Sequence, residues 1–289
     1  MSRNLLDEMT SHALHGGGSV KTKRDRIQTM QRFHAFLRGN NIQIRHVGEI
    51  KARYIEAYIA ERREHVGVGT LQNEMAHMRV TLEKAGKTKL AAHERLTNKA
   101  LGASGRSREG TKTACPDDKY RAALAIVSSR DPGVAAAMQL QRVFGLRAQE
   151  AVRSVKSLKT WERQLADGRR TISVTYGTKG GRPRETLVLD RRQAIKTVRD
   201  ALNIAKERGG KLIDKPDLKS ALYRYTDMTR RAGLTGEHSN HSLRYAWARD
   251  CMRALESDGL SREEALAQTS QYLGHGDGRG RWLKSVYLR

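Results

Sequence analysis

Between Val20 and about Leu101, apolar side chains recur at intervals of three and four. Ile27, Met30, Phe33 and Leu37 form one stripe, and Ile55, Tyr58 and Ile59 a second. Leu71, Met75, Met78 and Leu82 form a third, which ends before Gly86, a residue suited to a C-cap. This spacing lines one face of a 3.6-residue helix, and no alternating stretch interrupts it. The pattern predicts a small all-helical domain over residues 20–101. Ahead of it, residues 1–19 end in His-Gly-Gly-Gly-Ser and are expected to form a flexible leader. Behind it, residues 102–117 (GASGRSREGTKTACPD) have the Gly, Ser, Thr and charge content of a linker.

A second domain is predicted over 118–289. Helical spacing covers about 118–130 and 134–144, and then the period changes. In TISVTY (171–176), Ile172, Val174 and Tyr176 alternate with polar residues, and RETLVLD (184–190) follows, the two joined by the Gly-rich GTKGGRP. This is the signature of a β-hairpin. Helices resume at about 191–208, 217–232, 240–257 and 262–273, the last opened by a Ser261/Glu264 capping box. The expected fold class is therefore mainly α with one small β-sheet (α+β).

Charge changes the picture more than composition does. The 289 residues carry 55 Lys and Arg against 31 Asp and Glu, a formal net charge of +24, spread along the whole chain. A folded protein with such a field seeks a polyanion, and nucleic acid is the commonest. Aromatic residues make up only 5% and do not alternate with basic ones, so a single-strand stacking platform is not indicated and duplex backbone is the expected target. There is no basic amphipathic helix with an aromatic edge to favour a membrane surface. Cys115 and Cys251 lie far apart with no metal-ligand spacing, which fits a reducing compartment and implies no structural zinc. With no apolar leader and no apolar run of about 18 residues, the expected location is cytoplasmic.

Four stretches carry groups suited to a phosphodiester. VFGLRAQEAV places Arg147 after a Gly-Leu step with Glu150 one turn on. YGTKGGRPR puts Lys179 at the hairpin tip, and NHSLRYAW sets His241 and Arg244 on one side of a helix start. YLGHGDGRGRWLKSVYLR supplies His275 and Tyr287. Each alone has an ordinary structural role open to it: a helix-end ion pair, a solvated turn lysine, a loop histidine, a packing tyrosine. Trp247, with Leu243, Cys251 and Leu255 at helical spacing, reads as the core stripe beneath the His241–Arg244 pair.

Taken in order, GLRAQE, the hairpin lysine, HSLR, LGH and a following tyrosine resemble the tyrosine recombinase (phage integrase) family. The helical region, in Thr22–Leu37 and GVGTLQNEMAHMRVTLEKAG, is similar to that family's core-binding domain. The resemblance spans about residues 20–289 and implies a helical core-binding domain followed by a tyrosine-recombinase-type catalytic domain. It implies that Tyr287 attacks the scissile phosphate to give a 3′-phosphotyrosyl link, that Arg147 and Arg244 hold the non-bridging oxygens, and that His275 donates to the same oxygens. Lys179 would act as general acid on the leaving 5′-oxygen and His241 would assist proton transfer, with Glu150 orienting its neighbours. The covalent link conserves the bond energy, so no cofactor is required, and two arginines supply charge that a metal otherwise would. The expected partners are double-stranded DNA and further copies of the chain, as a tetramer on DNA.

Some features depart from the family. His275 and Tyr287 are separated by twelve positions, the extra length being GDGRGR, so delivery of Tyr287 within its own chain or from a neighbour is left open. The sequence ends two residues after Tyr287, where many members continue into a tail helix, which weakens the case for tail-mediated cyclic assembly. Tyr272 is a reserve nucleophile. Asn73, His77 and Lys84, opposite the Leu71–Leu82 stripe, are weaker candidates for DNA contact, a plain solvated face being as good a reading. The linker, at ~3.3 Å per extended residue, would reach about 50 Å and let two domains clamp a duplex. Competing functions are a type IB topoisomerase-like relaxing enzyme and a catalytically idle accessory DNA-binding protein of the same fold.

Overall fold

The first nineteen residues are not a loose leader. In the computed structural model, which describes residues 4–107, 109–276 and 278–288, Leu5–His15 form helix α1, capped by Asn4, whose side chain accepts from Asp7 N at 2.9 Å. Leu5, Met9 and Ala13 are buried in the core of the first unit, against α2 (Val20–Gly39) and α4 (Val68–Lys84). The apolar spacing of α1 is real but spans only three turns and runs into Gly16–Gly18, and tertiary burial rather than propensity holds so short a helix. The glycines make the turn into α2, with Gly17 and Gly18 at positive φ, and Arg26 Nη1 closes the end of α1 on the Ala13 carbonyl at 2.7 Å.

The chain divides into two compact units, residues 1–107 and 108–289. In the first, α3 (Ala52–Arg63) and the short α5 (Thr88–Ala91) complete the helices, and Met30, Phe33, Leu37, Ile55, Tyr58, Ile59, Leu71, Met75, Met78 and Leu82 fill the core as the stripes predict. The two ends of the 102–117 segment are packed, each on its own unit. Ala103 is fully buried and accepts from Gln72 Nε2, whereas Thr113 N and Cys115 N donate to the Glu237 and Ser242 carbonyls and Cys115 is buried in the second unit. The reach of about 50 Å therefore does not apply.

The second unit runs α6 (Asp117–Arg130), α7 (Pro132–Phe144), α8 (Ala148–Arg153), α9 (Leu158–Ala166), β1 (Thr171–Val174), β2 (Arg184–Leu187), α10 (Arg191–Glu207), α11 (Leu218–Arg231), α12 (Ser242–Ser257), α13 (Arg262–Tyr272) and α14 (Gly280–Tyr287). The strands are antiparallel, with Thr171 opposite Leu187 and Val174 opposite Arg184, and are shorter than the alternation predicts. Tyr176 lies beyond β1, exposed, under the Lys156 ammonium. The hairpin spacing was readable; α8, α9 and α14 were not. In α9 only Leu158, Trp161 and Leu165 mark the buried face among charged residues. Two apolar clusters result, one around α7 and one formed by α12, α13 and α14. Trp247, Cys251, Leu255, Leu273, Leu283 and Tyr287 belong to the second, which forms the floor of the site.

Candidate active site

The site is organised by a helix end. Helix α7 stops at Gly145, in the left-handed region (φ 59°), where a Cβ would lie 2.5 Å from the Trp247 ring. Only glycine meets both demands. The chain turns through Leu146, which is fully buried, into Arg147, the N-cap of α8. Glu150 reaches back to the Arg147 amide at 2.8 Å, and its other oxygen accepts from Arg147 Nη1 at 2.7 Å. Arg244, one turn into α12 and with no exposed surface, lies beside them. Its Nη1 donates to the Gly145 carbonyl at 2.5 Å, its Nη2 to the Leu273 carbonyl, and its Nε to the Tyr287 hydroxyl at 3.3 Å. Arg147 Nη2 also donates to the Leu273 carbonyl, at 3.3 Å.

The tyrosine is brought in by α14. Its hydroxyl lies 3.3 Å from His275 Nε2 as well as from Arg244 Nε, and the side chain is buried in its own chain. The GDGRGR segment, of which Asp277 lies outside the described residues, therefore makes the connection between α13 and α14, and Tyr287 reaches the arginines without a neighbouring copy. His275 packs on Trp282 (ring centroids 4.4 Å) and on Tyr287 (5.5 Å). His241, the N-cap of α12, is 6.4 Å from the Tyr287 ring. Tyr245 stacks on Tyr287 at 4.2 Å. Lys179 stands exposed at the hairpin tip and, with Arg147, His241, His275 and Tyr287, lines one cleft of about 1140 Å³. Four of the six predicted side chains are thus joined by direct contacts or ring packing, Arg147 is tied to Arg244 through the shared Leu273 carbonyl, and Lys179 is at the rim.

Sequence reasoning missed a third guanidinium. Arg184 opens β2, is 8% exposed, and donates from Nη2 to Glu150 Oε2 at 2.8 Å and from Nη1 to the Tyr272 carbonyl. Its one signal was strand parity, since residues 184 and 186 share the buried face. Tyr272 lies at the edge of the α12–α14 cluster and contributes that carbonyl, while Tyr287 is the tyrosine bonded to Arg244. Of the three residues proposed for DNA contact, Asn73 and Lys84 are exposed. His77 is half-buried and bonded through Nδ1 to Thr29 Oγ1 at 2.9 Å, so its ring is committed to α2.

Three buried or half-buried guanidinium groups around one fully buried carboxylate leave an excess of positive charge. Burial raises the Glu150 carboxyl, but Arg184, Arg244 and Arg147 outweigh it and hold the group down at about 2. Burial and then Arg244 and Arg147 push His241 down to about 4 and His275 to about 3, so both rings are neutral at pH 7. Burial lowers Arg147, and Arg244 adds to the effect. Such a pocket has a surplus of buried cations around one compensated carboxylate, and a phenol beside them. It is a receptor for an anion that can be attacked.

Residues 102–250 match the family model described as Integrase, and residues 1–91 match that described as Phage integrase, N-terminal. The chain belongs to the phage integrase family. It is a tyrosine-type site-specific DNA recombinase with that family's mostly helical fold. A lambda integrase tetramer bound to a Holliday junction has a TM-score of 0.60 at 17% identity, over 96% of this integrase and 75% of that chain. The Tn1549 transposon integrase in complex with a circular intermediate DNA also gives 0.60, at 10% identity, over 98% and 95%. At these identities the likeness carries the fold. No curated protein matches the integrase significantly. Among its described residues no helix is long and apolar enough to cross a membrane.

Proposed function

We propose that this integrase cleaves duplex DNA with Tyr287, forming a 3′-phosphotyrosyl bond as the 5′-oxygen of the next nucleotide leaves. The observation that carries the reading is the Tyr287 hydroxyl set 3.3 Å from both Arg244 Nε and His275 Nε2, within the cation-rich cluster. An entering phosphate replaces the carbonyl partners of Arg147 and Arg244 with its non-bridging oxygens, an exchange favoured because a guanidinium bonds an anion more strongly than a neutral acceptor. Neutral His275 retains one N–H to give to an oxygen. His241, held neutral, is able to accept the phenol proton, and Lys179 at the cleft rim protonates the leaving oxygen. Rejoining reverses these steps.

The natural substrate is then double-stranded DNA, worked on in the cytoplasm by four copies of the chain. Asn73 and Lys84 contribute exposed polar surface on α4, with His77 acting through its hold on α2.

The test begins with selection of bound duplexes from a random pool. A nicked duplex of the selected sequence, incubated with the protein in EDTA, gives a covalent adduct on a denaturing gel, and Tyr287→Phe gives none. An adduct that survives Tyr287→Phe, or its absence from wild type on a bound site, overturns the assignment. Joints formed between two labelled duplexes separate strand exchange from simple relaxation.

A further inference from the structure

We propose that Arg184 is a positioning residue of the cleavage site: it neutralises Glu150 so that Arg147 and Arg244 stay available to the phosphate, and it fixes the turn that carries His275. The inference rests on the reading of the cleft as the cleavage site.

Two sets of contacts support it. The first concerns charge. Glu150 has no exposed surface, and one of its oxygens is taken by Arg147. Its second oxygen lies 2.8 Å from Arg184 Nη2 but 3.7 Å from Arg244 Nη1. Arg184 therefore holds the carboxylate's nearer contact, and Arg244 turns its short bonds to the neutral carbonyls of Gly145 and Leu273. Without Arg184, the buried carboxylate would draw on Arg244, the guanidinium that donates to the Tyr287 hydroxyl. A buried charge that loses a partner recruits the nearest remaining one.

The second concerns position. Arg184 Nη1 donates to the Tyr272 carbonyl, and the Arg184 stem lies directly under Gly274, where a Cβ would meet Arg184 Cδ at 2.6 Å. Gly274 is at φ 68°, so the chain leaves α13 in a left-handed turn seated on this arginine and delivers His275 one residue later. A guanidinium suits both tasks, since its planar fork reaches a carboxylate and a carbonyl at once and lysine has no such reach. Arg184 Nε, buried and without a partner, adds no third anchor.

Among the described residues, the charged and aromatic groups around His275 are Arg147 from the start of α8, Arg184 from β2, Arg244 from α12, Arg279 from the turn before α14, and Trp282 and Tyr287 from α14. Arg184 is one of several cations holding that imidazole neutral.

The full-length protein is tested as Arg184→Met, Arg184→Lys, Glu150→Gln and the double variant Glu150→Gln/Arg184→Met. Adduct formation on the nicked selected duplex should slow about 10- to 100-fold in Arg184→Met, with duplex affinity changed less than about threefold, as a small displacement of positioned groups does. Removing the carboxylate charge as well should recover about tenfold, a coupling of ordinary size for groups in contact. Arg184→Lys, keeping the charge without the fork, should fall between wild type and Arg184→Met. If Arg184→Met does not fold, the double variant is read against Glu150→Gln, where loss of the turn contact alone should slow adduct formation by less than about tenfold. A second readout needs no DNA: the His275 ring, followed by NMR, should titrate at higher pH in Arg184→Met or the double variant than in its parent. Wild-type cleavage by Arg184→Met, no advantage of the double variant over Arg184→Met where both fold, or an unmoved His275 titration overturns the proposal. Loss of the adduct in wild type would instead count against the Tyr287 reading.

Discussion

Each unit of this integrase is built around a buried glutamate gripped by arginines, and the two hubs do different work. Glu74 on α4 accepts from the Tyr58 hydroxyl at 2.8 Å and from Arg62 at 2.9 Å, with Arg32 at 3.1 Å, so it ties α2, α3 and α4 together. Its arginines keep side-chain exposures of 42% and 20%, which lets water screen them. At Glu150 the three arginines are exposed by 22%, 4% and 0%. One carboxylate with two screened cations is a staple. One carboxylate with three cations, two of them dry, opening on a cleft, is an anion receptor. Number of cations and access to water separate the roles, since residue types are shared.

The largest effect that sharpens this contrast is catalytic. Arg244→Ala or Arg147→Ala should lower the rate of adduct formation by about a thousandfold or more, because each removes a fixed cation from a dry site. Affinity for duplex DNA should remain within roughly an order of magnitude, since binding draws on many phosphate contacts. Arg62→Ala in the first unit should leave the cleavage step itself unchanged. A comparable loss of single-turnover cleavage from Arg62→Ala, measured with duplex in saturating excess, would erase the distinction.

Next comes stability. Glu150→Ala leaves three guanidinium groups without their carboxylate and should destabilise the second unit by about 3–5 kcal/mol. Glu74→Ala, whose arginines turn to solvent, should cost about 1–3 kcal/mol in the first. Inorganic phosphate should restore part of the loss at Glu150 and none at Glu74. Denaturant melts read by tryptophan fluorescence for the second unit (Trp161, Trp247 and Trp282 all lie in it) and by protection of α4 amides for the first would check both.

The pH response should also differ. His241 and His275 are depressed from an ordinary value near ~6.5 to about 4 and about 3. Below ~6.5 the unfolded chain binds protons that the folded site refuses. The stability is therefore complete above about pH 6.5 and is lost as pH falls toward those values, at up to about 1.4 kcal/mol per pH unit for each histidine. In the first unit His46 is raised, chiefly by its hydrogen bond to Glu8, so its contribution is present below ~6.5 and disappears as pH rises through its own value. The tryptophan-reported melting temperature should drop between pH 7 and 5, and less so in His275→Asn. An equal drop in both proteins would break the assignment.

The smallest contrast concerns two glycines that end helices. Gly145→Ala drives a methyl into the Trp247 ring and should cost about 2–4 kcal/mol, whereas Gly86→Ala, at φ 77° with nothing within 4 Å, should cost about 1 kcal/mol, measurable by the same melts.

Much of this was legible locally. The Leu71–Leu82 and Leu243–Leu255 stripes, the Ser261–Glu264 box and the hairpin around Lys179 each depend on residues a few positions apart, and each appears in the structure. Helix α1 was obscured by the glycines after it, and α14 by the GDGRGR run before it. Their helicity comes from burial of Leu5 and Met9, and of Leu283 and Tyr287, on partners distant in sequence. Linker composition in 102–117 was likewise overridden, because its backbone amides find acceptors on folded surfaces.

The order of the arginine, lysine, histidine and tyrosine boxes pointed to the family from sequence alone, because side-chain type is legible without a fold. Tertiary structure alone decided that Glu150 is shared by three arginines while Glu74 is held by two more exposed ones, that Arg184 stands beneath Gly274, and that Tyr287 reaches Arg244 within one chain. Electrostatic roles depend on burial and on distances between residues such as 150, 184 and 244, and those exist only once the helices and the hairpin have packed.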